Sequence, residues 1–157
     1  MRPESRGYIS LASSNPNVAP KIHQRFLETE EEWRVMRDGL RMVRDLVGQE
    51  PLSPFAGDEL VPGNDHQSDE AIDEHVRKTM ITVHHPVGTC KMAGDDDQKA
   101  VVDGEMRVRG VENLRVIDTS VMPDLIGGAT NAPIIMMAEK ASDMIQGKAP
   151  LPPAELP

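Results

Sequence analysis

One amphipathic helix in the first third of the chain restricts its fold more than any other segment. Thr29 and Glu32 form a Thr-x-x-Glu capping box, a pattern that begins many helices. Apolar residues then recur at spacings of three and four, and these are Trp33, Met36, Leu40, Val43 and Val47. Gly48 and Pro51 predict the end of the helix. Because its stripe has to be covered, we expect this helix to face a core.

Two further helices are predicted later in the chain. Ser68 begins one of them, with acidic residues in the first turn, and it must end by His85 because a proline follows. Its apolar face is Ile72, Val76 and Met80. Another helix is predicted from about Ala132 to Gly147, with Pro133 in its first turn. Its buried face is predicted to be Ile134, Met137, Ala138, Ala141 and Ile145.

Short strands and loops separate these helices. Residues 7–12 alternate weakly and predict a strand, and residues 101–102, 106–108 and 114–117 predict three more, with Gly104 and Gly110 at the bends. Residues 49–67 predict a long surface loop, either a lid or a simple connector. Residues 95–97 are three aspartates, which predict a solvated loop tip.

Composition excludes several classes of function. The net charge of −9 argues against nucleic-acid binding, which requires clustered basic residues. The single cysteine allows no internal disulfide, and no apolar run approaches the roughly 20 residues of a transmembrane helix. The N-terminus has no signal peptide, so we expect a soluble, cytoplasmic protein. Ten methionines and only 3% aromatic residues predict an adaptable core that is completed by a larger assembly.

The segment His84–Met92 carries the first candidate for chemistry. It places two adjacent histidines before Pro86 and Gly88, so one imidazole is a candidate proton acceptor held by a restrained turn. A hydrogen-bonded structural histidine is the alternative. Cys90 is a weaker candidate, either as a nucleophile activated by histidine or as a metal ligand with His66 or His75. Its spacing fits no zinc pattern, so we expect a small buried residue and no metal site.

Two other segments are candidates for ligand binding. Residues 115–118 form an apolar strand that ends at Asp118, and this carboxylate is expected either to bind a ligand hydroxyl or to cap the next turn. The glycine-rich residues 127–133 lead into the third helix, whose first N–H groups attract electron-rich ligands. A simple N-cap by Thr130 or Asn131 is the alternative. No Gly-x-Gly-x-x-Gly dinucleotide motif occurs in the chain.

Taken together, these motifs closely resemble the C-terminal region of glucose–methanol–choline (GMC) oxidoreductases, with the bacterial choline dehydrogenase-like branch nearest. The resemblance rests on motifs in one order and spacing. They are residues 85–92, 100–103, 108–123, 130–133 and 138–140, and the opening residues 2–7. It implies an α+β fold, with an antiparallel sheet and packed helices as in the substrate domain of the family, plus elements that would complete an FAD-binding domain. The resemblance places this region at residues 1–147, and the prolines of residues 148–157 predict an extended or disordered Pro-rich tail.

The resemblance also implies a reaction and its site. A flavoprotein of this family oxidises a small-molecule alcohol at its CH–OH group, and His85 matches the histidine that accepts the hydroxyl proton while hydride passes to FAD. Asp118 and Thr119 match an FAD-contacting stretch. The helix start at Thr130, Asn131 and Ala132 matches the one beneath the pyrimidine end of the flavin, where negative charge develops on reduction.

Two departures from the family pattern shape what we expect of the chain. Ala129 occupies a position where the family usually has Asn or His, so a hydrogen bond to the substrate is lost unless His84 or Asn131 replaces it. The glycine-rich N-terminal FAD-binding half is also missing, so the chain is expected to hold FAD poorly and to be inactive by itself. A separate FAD-binding half is therefore an expected partner. The alternative is a non-catalytic remnant that acts as a partner-binding module.

Overall fold

The computed structural model describes residues 3–153, which divide into two compact units, residues 3–83 and 84–153. Arg2 of the opening motif and residues 154–157 of the predicted tail lie outside the described residues. The first unit contains a two-stranded antiparallel sheet and two helices, and the second is built around one helix. The expected α+β class is confirmed. Within residues 3–153, no helix is both long enough and apolar enough to cross a bilayer.

The sheet of the first unit pairs β1 (Tyr8–Ser10) with β2 (Lys21–His23), in the register Tyr8 opposite His23. The strand at residues 7–12 is thus confirmed, whereas β2 was not predicted, because three residues with one apolar side chain give too little alternation. The rings of Tyr8 and His23 stack with their centroids 4.3 Å apart. Gly7 permits this pairing, since a Cβ atom there would lie 2.1 Å from the carbonyl oxygen of His23.

Helices α1 (Glu30–Val47) and α2 (Asp69–Thr79) begin and end close to the predicted positions. The capping box of Thr29 and Glu32 forms with both of its hydrogen bonds, and Ser68 caps α2. Ile72 and Val76 are buried, as expected. The α1 stripe is only partly covered, because Val43 and Val47 are 56% and 44% exposed. The expectation of a core-facing stripe is therefore wrong at Val43 and Val47, in the last two turns of α1.

Arginines on α1 bind neighbouring segments of the first unit. Arg37 donates two hydrogen bonds of 2.7 Å to the two carboxylate oxygens of Asp73 on α2. Arg44 likewise donates from Nε and Nη2 to Glu59 at 2.9 Å, and from Nη1 to the carbonyl oxygen of His66 at 3.0 Å. Residues 49–67 form the predicted loop, interrupted by one 3₁₀ turn at Glu50–Leu52, and Arg44 fixes the second part of that loop to α1.

The second unit packs α3 (Asn131–Ile145) against a loop-rich layer. Its core contains Val102, Met106, Val121 and Ala141. The buried face predicted for α3 is correct at its centre, where Ala141 is fully buried, but wrong at Ala138 and Ile145, which are exposed. The buried face is shorter than predicted because the core residues contact α3 around Ala141 and leave its last turn uncovered.

The three strands predicted between residues 101 and 117 form only isolated bridges. Met92 pairs with Val102, Val102 with Val108, and Arg107 with Arg115. The physical reason is three left-handed residues, Met106, Gly110 and Asn113, whose positive φ angles turn the backbone before a ladder can extend. Of the two glycines predicted at the bends, Gly110 has a φ of +74°, a conformation that favours glycine.

Candidate functional site

His85 lies on an exposed loop that opens the second unit. Within residues 3–153, its imidazole makes no hydrogen bond or ion pair. The preceding His84 has a φ of +61°, so the two histidines are not in a simple extended segment as expected. Pro86 restricts the backbone directly after His85. The outcome is a solvent-facing ring on a restrained backbone, which differs from the hydrogen-bonded structural histidine of the alternative interpretation.

The loop that carries His85 is attached to the turn after Asp118. The N–H of Cys90 donates to the carbonyl oxygen of Ser120 at 2.9 Å, and the N–H of Met92 donates to that of Val121 at 2.8 Å. At Gly88, whose φ is +87°, a Cβ atom would lie 3.5 Å from the carbonyl oxygen of Met122. Two of the predicted motifs are therefore adjacent in the fold. The sequence contained one signal of this attachment, the glycine two residues after Pro86.

Asp118 caps the short turn to which that loop is bound. Its Oδ1 accepts a hydrogen bond of 2.7 Å from the N–H of Ser120, and the 3₁₀ turn Thr119–Val121 follows. The capping alternative for Asp118 is thus what the structure contains. The side chain is nevertheless exposed, and within residues 3–153 only Oδ1 is used. Thr119 beside it is half-buried. Ligand binding by this pair stays a prediction.

The N-terminus of α3 is not closed by a side chain. Thr130 is the N-cap residue, but its backbone is helical, with φ −76° and ψ −14°, and its side chain makes no capping hydrogen bond. Of the alternative, a simple N-cap by Thr130 or Asn131, the structure contains only the position of Thr130, without a side-chain hydrogen bond. Thr130 is buried, whereas Asn131, Ala132 and the neighbouring Ala129 are exposed. The first N–H groups of the helix thus remain available to an electron-rich group.

The metal alternative combined Cys90 with His66 or His75, and these residues belong to different units of the chain. Cys90 is half-buried with a free thiol in the second unit. His66 and His75 both belong to the first unit, where their rings meet edge to face with centroids 6.2 Å apart. In the part of the chain that the structure describes, no three His, Cys, Asp or Glu side chains converge in a way that could hold a metal ion.

Comparison with known proteins identifies the family. A family model described as GMC oxidoreductase matches residues 3–138, which include the His85 loop, the Asp118 turn and the start of α3. The chain belongs to the GMC oxidoreductase family. Its match to this family model confirms the resemblance on which the site was predicted.

Individual relatives agree with this assignment. The chain is 46% identical over 156 residues to oxygen-dependent choline dehydrogenase 1 of Chromohalobacter salexigens, covering 99% of this chain and 28% of that protein. Among solved structures, it is similar to pyridoxine 4-oxidase from Mesorbium loti (TM-score 0.84, 30% identity, 95% of this chain and 29% of the other). An FAD-dependent oxidoreductase from Chaetomium thermophilum gives a TM-score of 0.83 at 28% identity, with 93% and 25% covered.

The chain matches only part of each of these relatives. This GMC chain spans about a quarter to three tenths of their length. The range matched by the family model nonetheless includes the whole of the candidate site, from His85 to Ala132.

Proposed function

We propose that this chain is the C-terminal, substrate-side part of an FAD-dependent oxidoreductase that oxidises the CH–OH group of a small alcohol, with His85 as the proton acceptor. The observation that carries the proposal is the exposed imidazole of His85, which has no polar partner among residues 3–153, on a loop hydrogen-bonded to the Asp118 turn. Residues 1–147 constitute this region in the proposal, and residues 148–157 are a Pro-rich tail.

The role of His85 follows from what its ring is free to do. A neutral imidazole can accept the proton of a bound hydroxyl group if it is not already engaged by the protein. Pro86 and the hydrogen bond from Cys90 limit the movement of the loop, so that little freedom is lost when the base acts. His85 thereby makes the substrate oxygen electron-rich at the moment when the C–H bond breaks.

The residues available for FAD have matching chemistry. The uncapped first turn of α3 at Thr130, Asn131 and Ala132 presents N–H groups and the positive end of the helix dipole to the electron-rich edge of a flavin. Asp118 offers a carboxylate oxygen for a cofactor hydroxyl, with Thr119 beside it. When bound, FAD supplies the hydride acceptor of the reaction. These few contacts support a cofactor held mainly by a separate FAD-binding half.

Ala129 supports a second candidate function. Its exposed methyl group neither donates nor accepts a hydrogen bond, so the substrate oxygen would lose one partner, at a cost of about 1–3 kcal/mol. A non-catalytic remnant that binds a partner would tolerate this residue. The unobstructed imidazole of His85 favours the enzyme over the remnant, because a remnant has no need of an unpartnered base.

Reconstitution of the missing part tests the proposal. The chain is mixed with the N-terminal FAD-binding portion of a choline dehydrogenase relative, and flavin absorbance is recorded before and after addition of choline without oxygen. We expect a yellow complex whose colour bleaches with choline, the first alcohol to test because of the name of the relative. Absence of a yellow complex contradicts a flavoprotein function. A yellow complex that no alcohol bleaches favours the remnant.

Substitution of His85 tests its role in the same complex. His85→Ala is expected to keep FAD binding and to slow flavin reduction by about 10²–10⁴-fold, as for the loss of a general base. His75→Gln, in helix α2 of the first unit, serves as the matched histidine control and is expected to reduce flavin at the normal rate. Equal rates in the unsubstituted and His85→Ala complexes would remove His85 from the mechanism.

A further inference from the structure

The Asp118 carboxylate makes a hydrogen bond within the protein that a role in cofactor binding does not explain. Its Oδ1 holds the N–H of Ser120 at 2.7 Å, and the carbonyl oxygen of the same Ser120 holds the N–H of Cys90 at 2.9 Å. One residue, Ser120, therefore connects the carboxylate to the loop that carries His85. The next residue, Val121, repeats the connection through Met92 at 2.8 Å, and its side chain is fully buried in the core.

The hydrogen bonds that Cys90 and Met92 donate to the Asp118 turn form an anchor for the loop, and this anchor lies only a few residues from His85 in the sequence. Gly88 lies close to the carbonyl oxygen of Met122, at the end of the Asp118 turn, and His85 is three residues before Gly88 with Pro86 between them. The turn itself contains two backbone hydrogen bonds. The N–H of Val121 donates to the carbonyl oxygen of Asp118 at 3.2 Å, and the N–H of Met122 donates to the carbonyl oxygen of Thr119 at 3.1 Å. A 3₁₀ turn of three residues has little stability of its own and depends on its cap.

We infer that Asp118 is a positioning residue for His85: through Ser120, the carboxylate at the cofactor-binding end of the site fixes the loop that presents the base. The inference rests on the proposed function for the role of His85, but the anchor itself is a property of the folded chain. Because Oδ1 makes the anchor while the side chain remains exposed, one carboxylate is able to hold the loop and contact a cofactor hydroxyl together.

The single cysteine of the chain reports directly on this anchor. Cys90 is the anchored residue, and its half-buried thiol is the only one in the sequence. When opening and closing are fast, the rate of labelling by a fluorescent maleimide follows the population of the open loop. Asp118→Ala is expected to raise this rate about fivefold, from the usual effect of removing a cap. Asp118→Asn, which retains an oxygen acceptor for Ser120, is expected to label at the normal rate.

A matched control separates the anchor from general loosening of the unit. Asp103 caps another turn of the second unit, where its Oδ1 accepts from the N–H groups of Glu105 and Arg107 at 2.8 and 2.9 Å. Asp103→Ala is expected to leave the labelling of Cys90 unchanged. Normal labelling of Asp118→Ala would overturn the inference. So would an equal rise in Asp103→Ala, or a failure of Asp118→Asn to restore the normal rate.

Hydrogen exchange on the unsubstituted chain keeps the inference testable if Asp118→Ala does not fold. The amide protons of Ser120, Cys90 and Met92 are expected to be protected to a similar degree, because they open as one unit. A Cys90 amide that exchanges as fast as an unstructured peptide while Ser120 is protected would overturn the anchor. These measurements require no flavin, so a failure of the proposed function appears separately, as the absence of a yellow complex.

Discussion

Glu32 shows how one side chain can have several structural roles. Its carboxylate accepts a hydrogen bond of 2.8 Å from the N–H of Ser5 and another from the Ser5 hydroxyl, and it also closes the capping box with Thr29. Burial alone would raise the pKa of Glu32, but the hydrogen bonds from Ser5 and Thr29 outweigh it and lower the pKa. The buried carboxylate is therefore ionised at neutral pH and joins the N-terminal segment to α1.

Removal of this carboxylate is expected to destabilise the first unit. Glu32→Ala leaves the N–H groups of Ser5 and of Thr29, at the beginning of α1, without this acceptor. We expect a loss of about 1–3 kcal/mol in the free energy of unfolding. Urea denaturation followed by circular dichroism measures it. Glu31→Ala is the control, because Glu31 is exposed and, among residues 3–153, its side chain pairs only with Arg34 on the same helix. Equal losses in the two variants would contradict the role given to Glu32.

At the scale of elements, the Arg37–Asp73 pair joins α1 to α2. The Arg37 side chain is 14% exposed and that of Asp73 is 11% exposed, so water screens this pair less than the surface pairs of the chain. The two hydrogen bonds from Arg37 lower the pKa of Asp73 below its usual value of 3.8, against the opposing effect of burial. The carboxylate is consequently charged in the folded state at a pH where the unfolded chain begins to bind a proton.

This lowered pKa predicts how the stability of the first unit depends on pH. The contribution of Asp73 is fully present above 3.8, and it is lost as the pH falls through the lower pKa of the folded state. Thermal unfolding from neutral pH to below 3.8 should therefore show a falling melting temperature. Asp73→Asn is expected to melt lower at neutral pH and to show a shallower fall. A fall equally steep in that variant would assign the acid sensitivity to other carboxylates.

Some elements of the fold could be predicted from the sequence and others could not. Helices α1 and α2 could be predicted because their caps and apolar spacings are local, and in the structure they are capped by Thr29 and Ser68 as expected. The strands after residue 100 could not, because positive φ angles at Met106 and Asn113 have no clear signature in the sequence. The site motifs were recognisable, but their attachment through Ser120 depends on backbone hydrogen bonds between distant segments, which side-chain identity does not encode.

At the scale of the whole molecule, the chain exposes large apolar side chains in both units. Leu60 and Leu11 are 89% and 85% exposed in the first, and Met136 and Ile135 are 58% and 55% exposed on α3. Scattered apolar residues are ordinary on a surface, but a contiguous pair on a helix next to a candidate site usually meets another surface. This exposure accords with a chain that spans only 28% of its choline dehydrogenase relative.

The exposed residues predict how the chain responds to the rest of such a protein. We expect the isolated chain to bind the dye anilinonaphthalene sulfonate, and to lose much of this binding when the N-terminal FAD-binding portion of a relative is added, because the same apolar side chains become covered. Fluorescence titration measures both. Lysozyme in place of that portion is the control for nonspecific association. Dye fluorescence that stays constant in the flavin-containing complex would show that other surfaces form the contact.

The hydrogen bonds from Cys90 to Ser120 and from Met92 to Val121 also bear on how sequences of this kind can recombine. A crossover between two relatives that falls anywhere from residue 93 to residue 117 brings together a loop from one parent and a turn from the other. A crossover before residue 84 passes both from the same parent. The segment from His84 to Met122 is thus inherited most safely as one block, although residues 93–117 separate the loop from the turn in the sequence.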